Sequence, residues 1–391
     1  MKKKFCVIQI GARYNYKIPL FFAENNSLAC FYTDIHSSHL IFGILNFIPE
    51  ILMTKSLIRL KKNRKLPFKL LKELVSDSFL NLFLKDSKIM ERNLFKRVLD
   101  DNFRDCDAIY TNIITSDIDL ISKAKKKGIY IIHEVFLNPF FSKIYADELL
   151  EFPEFNTKKD LNKEDNKTKF DIDLIKYNLA DKIIVPSKYI YNAVVEKGVS
   201  KDKIKVIEPS SYDEDFLNVK TNPKRGRIIF VGRITLMKGI HYFAKVCREF
   251  LKEKKDYEFI AVGKNYLDLN NPLLLGPKYL GYLEKKDLKE IYRTADVFVL
   301  PSISDAFPAV HLEAMSFGIP VILTNACGSV VRDGNDGFIV PAKDYKIMKY
   351  KIEEIVENRN LRAKMSKSAR LRVKNYDFKN YSKKLKEIID F

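Results

Sequence analysis

The sequence predicts an α/β protein built on mainly parallel sheet. Three observations carry that reading: short, largely apolar runs followed by helix-like stretches, one pattern that occurs twice, and a polar divider near the middle. The runs are Phe5–Ile10, Ile129–Ile132, Lys182–Val185, Arg227–Val231, Glu258–Val262, Val297–Leu300 and Pro320–Leu323. Runs without alternation suit strands covered on both faces. Strands alternating with helical segments imply βαβ units. The repeated pattern is Ala180-Asp181, four residues, then Pro186-Ser187, and again Ala295-Asp296, four residues, then Pro301-Ser302. It is read either as coincidence in a common βα connection or as two α/β domains of similar plan. The divider runs from Glu208-Pro209-Ser210-Ser211 to Asn222-Pro223-Lys224-Arg225-Gly226, and a new strand begins at Arg227.

Composition bounds the class. At one domain per about 100–200 residues, 391 residues make two or three domains. With 46% hydrophobic and 30% charged residues, wholesale disorder is excluded. The formal charge is +19, and 53 of the 69 basic residues are Lys. That surplus has three readings: a nucleic-acid surface, a membrane-surface patch, or Lys-biased background. Cys6, Cys30, Cys106, Cys247 and Cys327 are scattered and never spaced as CxxC. Such spacing points to a reducing cytoplasm, without a disulfide framework or a zinc site.

From the N-terminus, Lys2, Lys3 and Lys4 before an apolar run mimic a signal peptide. The run ends at Arg13 without a cleavage site, so it reads as a first strand. The uncharged run Ile35–Pro49 holds 15 residues, short of a spanning helix. Between 55 and 72 lie eight basic residues and no acidic one, interleaved with Leu, Ile and Phe. That mixture suits an anionic bilayer, each cation contributing about 1 kcal/mol; a solvated helix face is the plainer reading. The polar run 154–170 reads as a surface insertion.

The chemistry concentrates in the C-terminal half. The strand Arg227–Val231 ends in Gly232-Arg233, and Lys238-Gly239 leads into a helix with Tyr242, Phe243, Val246 and Phe250 at helical spacing. A planar fork of donors, a point charge and a helix N-terminus together suit a diphosphate. A second strand, Ala295 to Leu300, leads through Pro301-Ser302-Ile303-Ser304 to Asp305-Ala306-Phe307-Pro308. Pro308 suits the first turn of a helix that stops at Gly318. Asp305 and Glu313 are two carboxylates with seven residues between them. At ~1.5 Å rise per residue, Pro308 to Glu313 spans roughly 7–8 Å, similar to the distance from a sugar ring to a ribose across a diphosphate. Glu313 suits ribose hydroxyls and Asp305 the hydroxyls of a sugar. Glu313 sits within Leu312-Glu313-Ala314-Met315, where a carboxylate needs a partner.

The segments RIIFVGRITLMKG, YLGYLEKKDLKEIYRTADVFVLPSISDAFPAVHLEAMSFGIPVI and CGSVVRDGNDGFIVP together resemble family 4 glycosyltransferases of the GT-B fold. The resemblance runs from about 227 to 345 and resumes at Tyr376-Asp377-Phe378. It implies two Rossmann-like, doubly wound domains facing a cleft: an acceptor-binding domain over 1–210, a donor-binding domain over 222–372, and a helix over 373–391 that returns to the first. It further implies that Arg233 and Lys238 bind the donor diphosphate and that the Glu-x7-Glu motif, here Asp305 to Glu313, binds sugar and ribose. Gly232 and Phe307 belong to the same donor site. Two departures stand out: Asp305 is one methylene shorter than the usual Glu, and Pro308 replaces a frequent Gly.

In the N-terminal half, Gly11 in Ile10-Gly11-Ala12-Arg13-Tyr14 is similar to the family's glycine loop. His133-Glu134 is similar to its His and acidic pair, whose His reaches the donor sugar. ADKIIVPSKYI resembles the last strand and helix of that domain, whereas VIEPSSYD at 206–213 departs from the usual hinge. The resemblance implies sugar transfer with retention from a nucleoside-diphosphate sugar, without a cofactor or an essential metal, and Asp305 and His133 orienting the sugar. The expected acceptor is a saccharide or lipid-linked saccharide in polysaccharide or glycolipid synthesis. The expected setting is the cytoplasm, peripheral to an anionic membrane surface through 55–72, with no nucleic acid partner. A sugar-nucleotide epimerase and a non-catalytic carbohydrate-binding protein are the alternatives. The DxD pairs Asp117/Asp119, Asp171/Asp173 and Asp213/Asp215 read as a helix cap and charged loops, and His36, His39, His241 and His311 show no ligand spacing.

Overall fold

The computed structural model describes residues 3–9, 13–33, 74–75, 87–112, 118–155, 166–210 and 212–389. Gly11, the run Ile35–Pro49 and the basic stretch 55–72 lie outside the described residues.

In chain order, the first half forms β1 (Phe5–Gln9), α1 (Lys17–Glu24), β2 (Leu28–Thr33), β3 (Leu74–Val75), α2 (Ser87–Asp100) and β4 (Ala108–Thr111). It continues with α3 (Ile118–Lys126), β5 (Tyr130–Glu134), α4 (Phe141–Glu151), α5 (Asn166–Leu179), β6 (Lys182–Val185), α6 (Lys188–Glu196) and β7 (Ile204–Val206). The second half forms β8 (Arg227–Val231), α7 (Ile240–Lys252), β9 (Glu258–Val262), β10 (Lys278–Tyr279), α8 (Lys285–Thr294) and β11 (Val297–Leu300). Then follow α9 (Ala309–Ser316), β12 (Val321–Thr324), β13 (Gly337–Val340), α10 (Tyr345–Glu357), α11 (Arg359–Val373) and α12 (Phe378–Ile389). None of the helices among the described residues is long and apolar enough to cross a membrane.

The chain divides into two compact units, one from 1–135, 167–184 and 197–205, the other from 136–166, 185–196 and 206–391. The first carries a sheet of order β3-β2-β1-β4-β5-β6-β7 and the second a sheet of order β10-β9-β8-β11-β12-β13. Neighbours pair in parallel, as β1 with β2 and β4, or β8 with β9 and β11. In both, the chain winds outward in one direction, returns to the centre and winds the other way. This reversal defines a switch point, between β1 and β4 and between β8 and β11, where the loops at the carboxyl ends of the strands diverge. All five residues of β1 and all four of β11 are buried, as unalternated runs require.

The repeated Ala-Asp pattern marks the same junction in each unit. The Asp181 carboxylate accepts the Ile131 amide at 2.8 Å, and its own amide donates to the Ile131 carbonyl at 2.9 Å. The Asp296 carboxylate accepts the Gly226 amide at 3.0 Å, and its amide donates to the Arg227 carbonyl at 2.8 Å. Each Asp ties the start of its strand to a neighbouring strand. Asp296 has no solvent exposure and also receives Arg359, at 2.7 and 2.8 Å, and Arg362, at 3.1 Å.

Two local expectations shift. The polar run 154–170 is helical from Asn166, where α5 begins without a visible apolar stripe; Asp173 and Lys176, a turn apart at 3.0 Å, give it side-chain support instead. Pro308 is the N-cap of α9 and not its first helical residue, with an extended ψ of 108°. The other end of α9 meets expectation. Gly318 is left-handed at φ 68°, and the amides of Gly318 and Ile319 return to the carbonyls of Met315 and Ala314 at 2.9 and 3.0 Å. The five cysteines are free and buried.

Candidate functional site

The second sheet's switch point brings two loops together. The loop after β8 passes Gly232 and Arg233, makes a 3-10 turn at Leu236–Lys238 and enters α7 through Gly239. Gly239 has φ +71°, and a Cβ there would lie 1.9 Å from the Pro301 carbonyl oxygen in the loop after β11. Only glycine permits that approach. The Ile303 amide then donates to the Met237 carbonyl at 3.0 Å, locking one loop to the other.

Within this frame, Lys238 forms an ion pair with Asp305; their side chains are 17% and 12% exposed. The Asp305 backbone is held as well, its amide donating to Ala326 O at 3.0 Å and its carbonyl accepting the Gly328 amide at 2.8 Å. Gly232 directs its amide to Val262 O at 2.9 Å, so it offers a ligand close approach and not a free N–H. Arg233 is exposed and makes no side-chain hydrogen bond or ion pair among the described residues. It is therefore available to an anion. Phe307 is half-buried, edge-on to the His311 ring at 4.8 Å, where α9 begins.

Glu313 lies a turn further on. Tyr292 of α8, fully buried, donates its hydroxyl to Glu313 Oε2 at 2.9 Å and stacks on Phe317 with ring centroids 5.2 Å apart. This is the partner that a carboxylate in an apolar stretch requires. Burial pushes the Glu313 carboxyl up from its ordinary value, while the Tyr292 hydrogen bond and the Lys285 charge pull it down. Burial also pushes the Tyr292 phenol well up, so it stays a donor. His311 has a structural place: its ring bonds Pro308 O through Nδ1 and accepts the Val330 amide at 3.4 Å through Nε2. Burial lowers its pKa to about 4, which keeps it neutral.

Residues 211–372, which contain all of these side chains, match the sequence family described as "Glycosyl transferases group 1". This stretch is a group 1 glycosyl transferase domain. Over 154 residues the chain is 30% identical to the capsular polysaccharide biosynthesis glycosyltransferase CapM of Staphylococcus aureus, covering 37% of this chain and 40% of that protein. Over 202 residues it is 29% identical to an Escherichia coli UDP-Gal:alpha-D-GlcNAc-diphosphoundecaprenol alpha-1,3-galactosyltransferase, covering 47% and 49%. The chain thus spans about half or less of these two relatives. Among solved structures, Anabaena Alr3699/HepE in complex with UDP superposes with a TM-score of 0.64 at 16% identity, over 100% of both chains. The lipopolysaccharide outer core galactosyltransferase WaaB superposes with a TM-score of 0.63 at 15% identity, over 99% of both. At such identities the likeness establishes the fold, GT-B.

Arg233, Lys238, Asp305, Phe307, Glu313 and Gly232 all lie in the group 1 domain. His133 lies in the other unit, at the carboxyl end of β5. It is 3% exposed, and its Nδ1 has no hydrogen-bond partner among the described residues. Burial, reinforced by the Lys176 charge, lowers its pKa to about 3, so it is a neutral imidazole. Beside it, Glu134 accepts the Tyr14 hydroxyl at 3.2 Å.

Of the DxD pairs, Asp213 caps its own turn by accepting the Asp215 amide at 3.1 Å and forms an ion pair with Lys285; Asp117 lies outside the described residues. No group of three His, Cys, Asp or Glu among the described residues is placed to hold a metal ion. Sequence reasoning missed Tyr292, which looks like an ordinary helix-core residue, and the Asn138, Ser187 and Tyr189 contacts on the Asp305 loop, which no local spacing announces.

Proposed function

We propose that this chain is a retaining glycosyltransferase that moves a sugar from a nucleoside-diphosphate sugar to a hydroxyl of a saccharide or lipid-linked saccharide. The observation that carries this reading is the Lys238–Asp305 pair at the switch point of the group 1 domain, with an exposed Arg233 on the loop after β8 and Glu313 on the helix that follows β11. The names of the Staphylococcus and Escherichia relatives support a place in polysaccharide or glycolipid assembly.

In the reaction, the bond between the sugar C1 and the β-phosphate oxygen breaks and its electron pair stays on the phosphate. The acceptor oxygen bonds to C1 on the face the phosphate leaves, and the acceptor proton passes to the departing phosphate oxygen. Arg233 and Lys238 stabilise the charge that develops there, a contribution of several kcal/mol in a preorganised site. Glu313 accepts from ribose hydroxyls, Asp305 from sugar hydroxyls, and neutral His133 acts as a hydrogen-bonding group for the sugar. On this reading no metal or cofactor is essential, because the two cations take the place of one. We place the chain in the cytoplasm, with 55–72 against an anionic membrane surface.

A thermal-shift panel of UDP-, GDP- and ADP-sugars, with and without magnesium, tests the reading, because a native-state binder raises the melting temperature by mass action. A metal-independent rise with one nucleotide class, followed by sugar transfer with retained anomeric configuration, is expected. No rise with any of these donors would overturn it.

A further inference from the structure

Asp305 is flanked by two hydrogen bonds from a segment distant in sequence. On one side, Tyr189 donates its hydroxyl to Ser304 Oγ at 3.0 Å; on the other, Ser187 Oγ donates to the Ala306 carbonyl at 2.8 Å. Both donors belong to the short stretch from the end of β6 into the first turn of α6. Tyr189 is placed as the donor to Ser304. Asn138 Oδ1 accepts the Phe140 amide at 2.8 Å, so its Nδ2 must be the group that donates to Tyr189 Oη, also at 2.8 Å. The tyrosine's single proton is then left for Ser304. Burial raises the Tyr189 phenol above its ordinary value, so that proton is retained at neutral pH.

The other side of the loop is filled. A Cβ on Gly328 would lie 1.9 Å from the Ala306 carbonyl oxygen and 2.3 Å from Ser187 Oγ, and the Gly328 amide already binds the Asp305 carbonyl. Asn138 and Ser304 are 5% and 6% exposed, so neither can exchange its partner freely for water. Asp305 therefore has its backbone held by the Ala326–Gly328 turn, its neighbours held by Ser187 and Tyr189, and its carboxylate held by Lys238. A shorter carboxylate than Glu has less reach with which to correct a misplaced backbone.

We propose that Tyr189, oriented by Asn138, and Ser187 are positioning residues that place the Asp305 carboxylate for the sugar half of the donor, and so set sugar recognition without contributing to diphosphate recognition. This rests on the transferase reading above. It separates two functions within one loop junction: the cations Arg233 and Lys238 read the diphosphate, and the Asn138–Tyr189–Ser304 chain tunes what Asp305 reads.

The test uses the full chain and calorimetry with UDP, GDP and ADP and with their glucose derivatives. The pair that wild type binds most tightly is carried forward. Tyr189→Phe and Ser304→Ala are each expected to weaken the nucleotide sugar about tenfold, the order expected when a buried hydrogen-bond chain loses a member. Binding of the matching diphosphate is expected to change by less than about twofold. The double variant should lose little more than either single one, because both break the same bond. Equal loss of diphosphate and nucleotide-sugar affinity, or unchanged affinity for both in either variant that keeps the wild-type melting temperature, overturns the proposal and leaves the transferase reading standing. Failure of wild type to bind any of these donors overturns both.

Discussion

Lys238 and Asp305 form an ion pair across the two loops that leave β8 and β11, and each is less than a fifth exposed. The cation read as a phosphate ligand and the carboxylate read as a sugar ligand are thus partners before any donor arrives. Replacing Lys238 by Ala removes a phosphate contact and leaves a partly buried carboxylate uncompensated. Nucleoside diphosphate affinity should fall about 10–100-fold, the range of about 1.5–3 kcal/mol for a charge-assisted hydrogen bond. Calorimetry that finds unchanged affinity would put the phosphate site elsewhere. Arg233→Ala should weaken the same ligand with no loss of melting temperature, because its side chain is exposed and unpaired among the described residues.

Glu313 gives a pH dependence with a definite sign. Its carboxyl is raised in the folded chain, chiefly by burial. A raised acid stabilises the fold below its unfolded pKa, and that contribution is lost as pH rises through the folded value. Glu313→Gln keeps an acceptor for Tyr292 without the buried charge. Its melting temperature should exceed that of wild type at pH 7.5, and the gap should close toward pH 4. Nucleotide affinity should fall in the variant at every pH. A gap that is the same at both ends of the range would mean that burial does not perturb this carboxyl.

Asp296 should behave as a structural group alone. Its carboxylate has no exposure and serves the Gly226 amide, Arg359 and Arg362. Asp296→Ala leaves two guanidinium groups without their acceptor and should cost about 3–5 kcal/mol in denaturant unfolding. A cost below about 1 kcal/mol would show that solvent reaches these groups.

Gly239→Ala combines a left-handed backbone with a Cβ 1.9 Å from the Pro301 carbonyl oxygen. The loops after β8 and β11 would have to separate, taking Lys238 from Asp305. Nucleotide binding is expected to drop at least tenfold, by the same charge-assisted bond, with a lower melting temperature. Wild-type values for both would mean that the two loops do not meet this closely.

The membrane expectation has its own measurement. Reversing the charges in 55–72 should abolish co-sedimentation with vesicles containing anionic lipid, each cation contributing about 1 kcal/mol. Equal binding by both forms would leave the basic stretch as solvated surface.

Much of the second unit was legible from local pattern. The apolar runs at β8, β9, β11 and β12 are strands, and Tyr242, Phe243, Val246 and Phe250 are buried on α7 as their spacing implies. Other strands were passed over. Among them, β3 and β10 are two residues long and β7 three, too short for a period to show. Such strands exist because a neighbour supplies their hydrogen bonds, a tertiary fact. At the site, the need of Glu313 for a partner was visible in its apolar surroundings, yet Tyr292 was not, because it looks like any core residue of an amphipathic helix.

The sequence by itself determined the α/β class, the strand-to-helix junctions that hold Arg233, Lys238, Asp305 and Glu313, and the repeated Ala-Asp turn. All of these depend on residues within about ten positions of one another, a range over which periodicity and capping act. The tertiary structure alone decided that Lys238 lies on Asp305, 67 positions away, and that Ser187 and Tyr189 flank Asp305 from 119 and 115 positions from the residues they bind. Those contacts follow from strand order and from the close approach of loops at the ends of neighbouring strands. Local spacing carries no record of either.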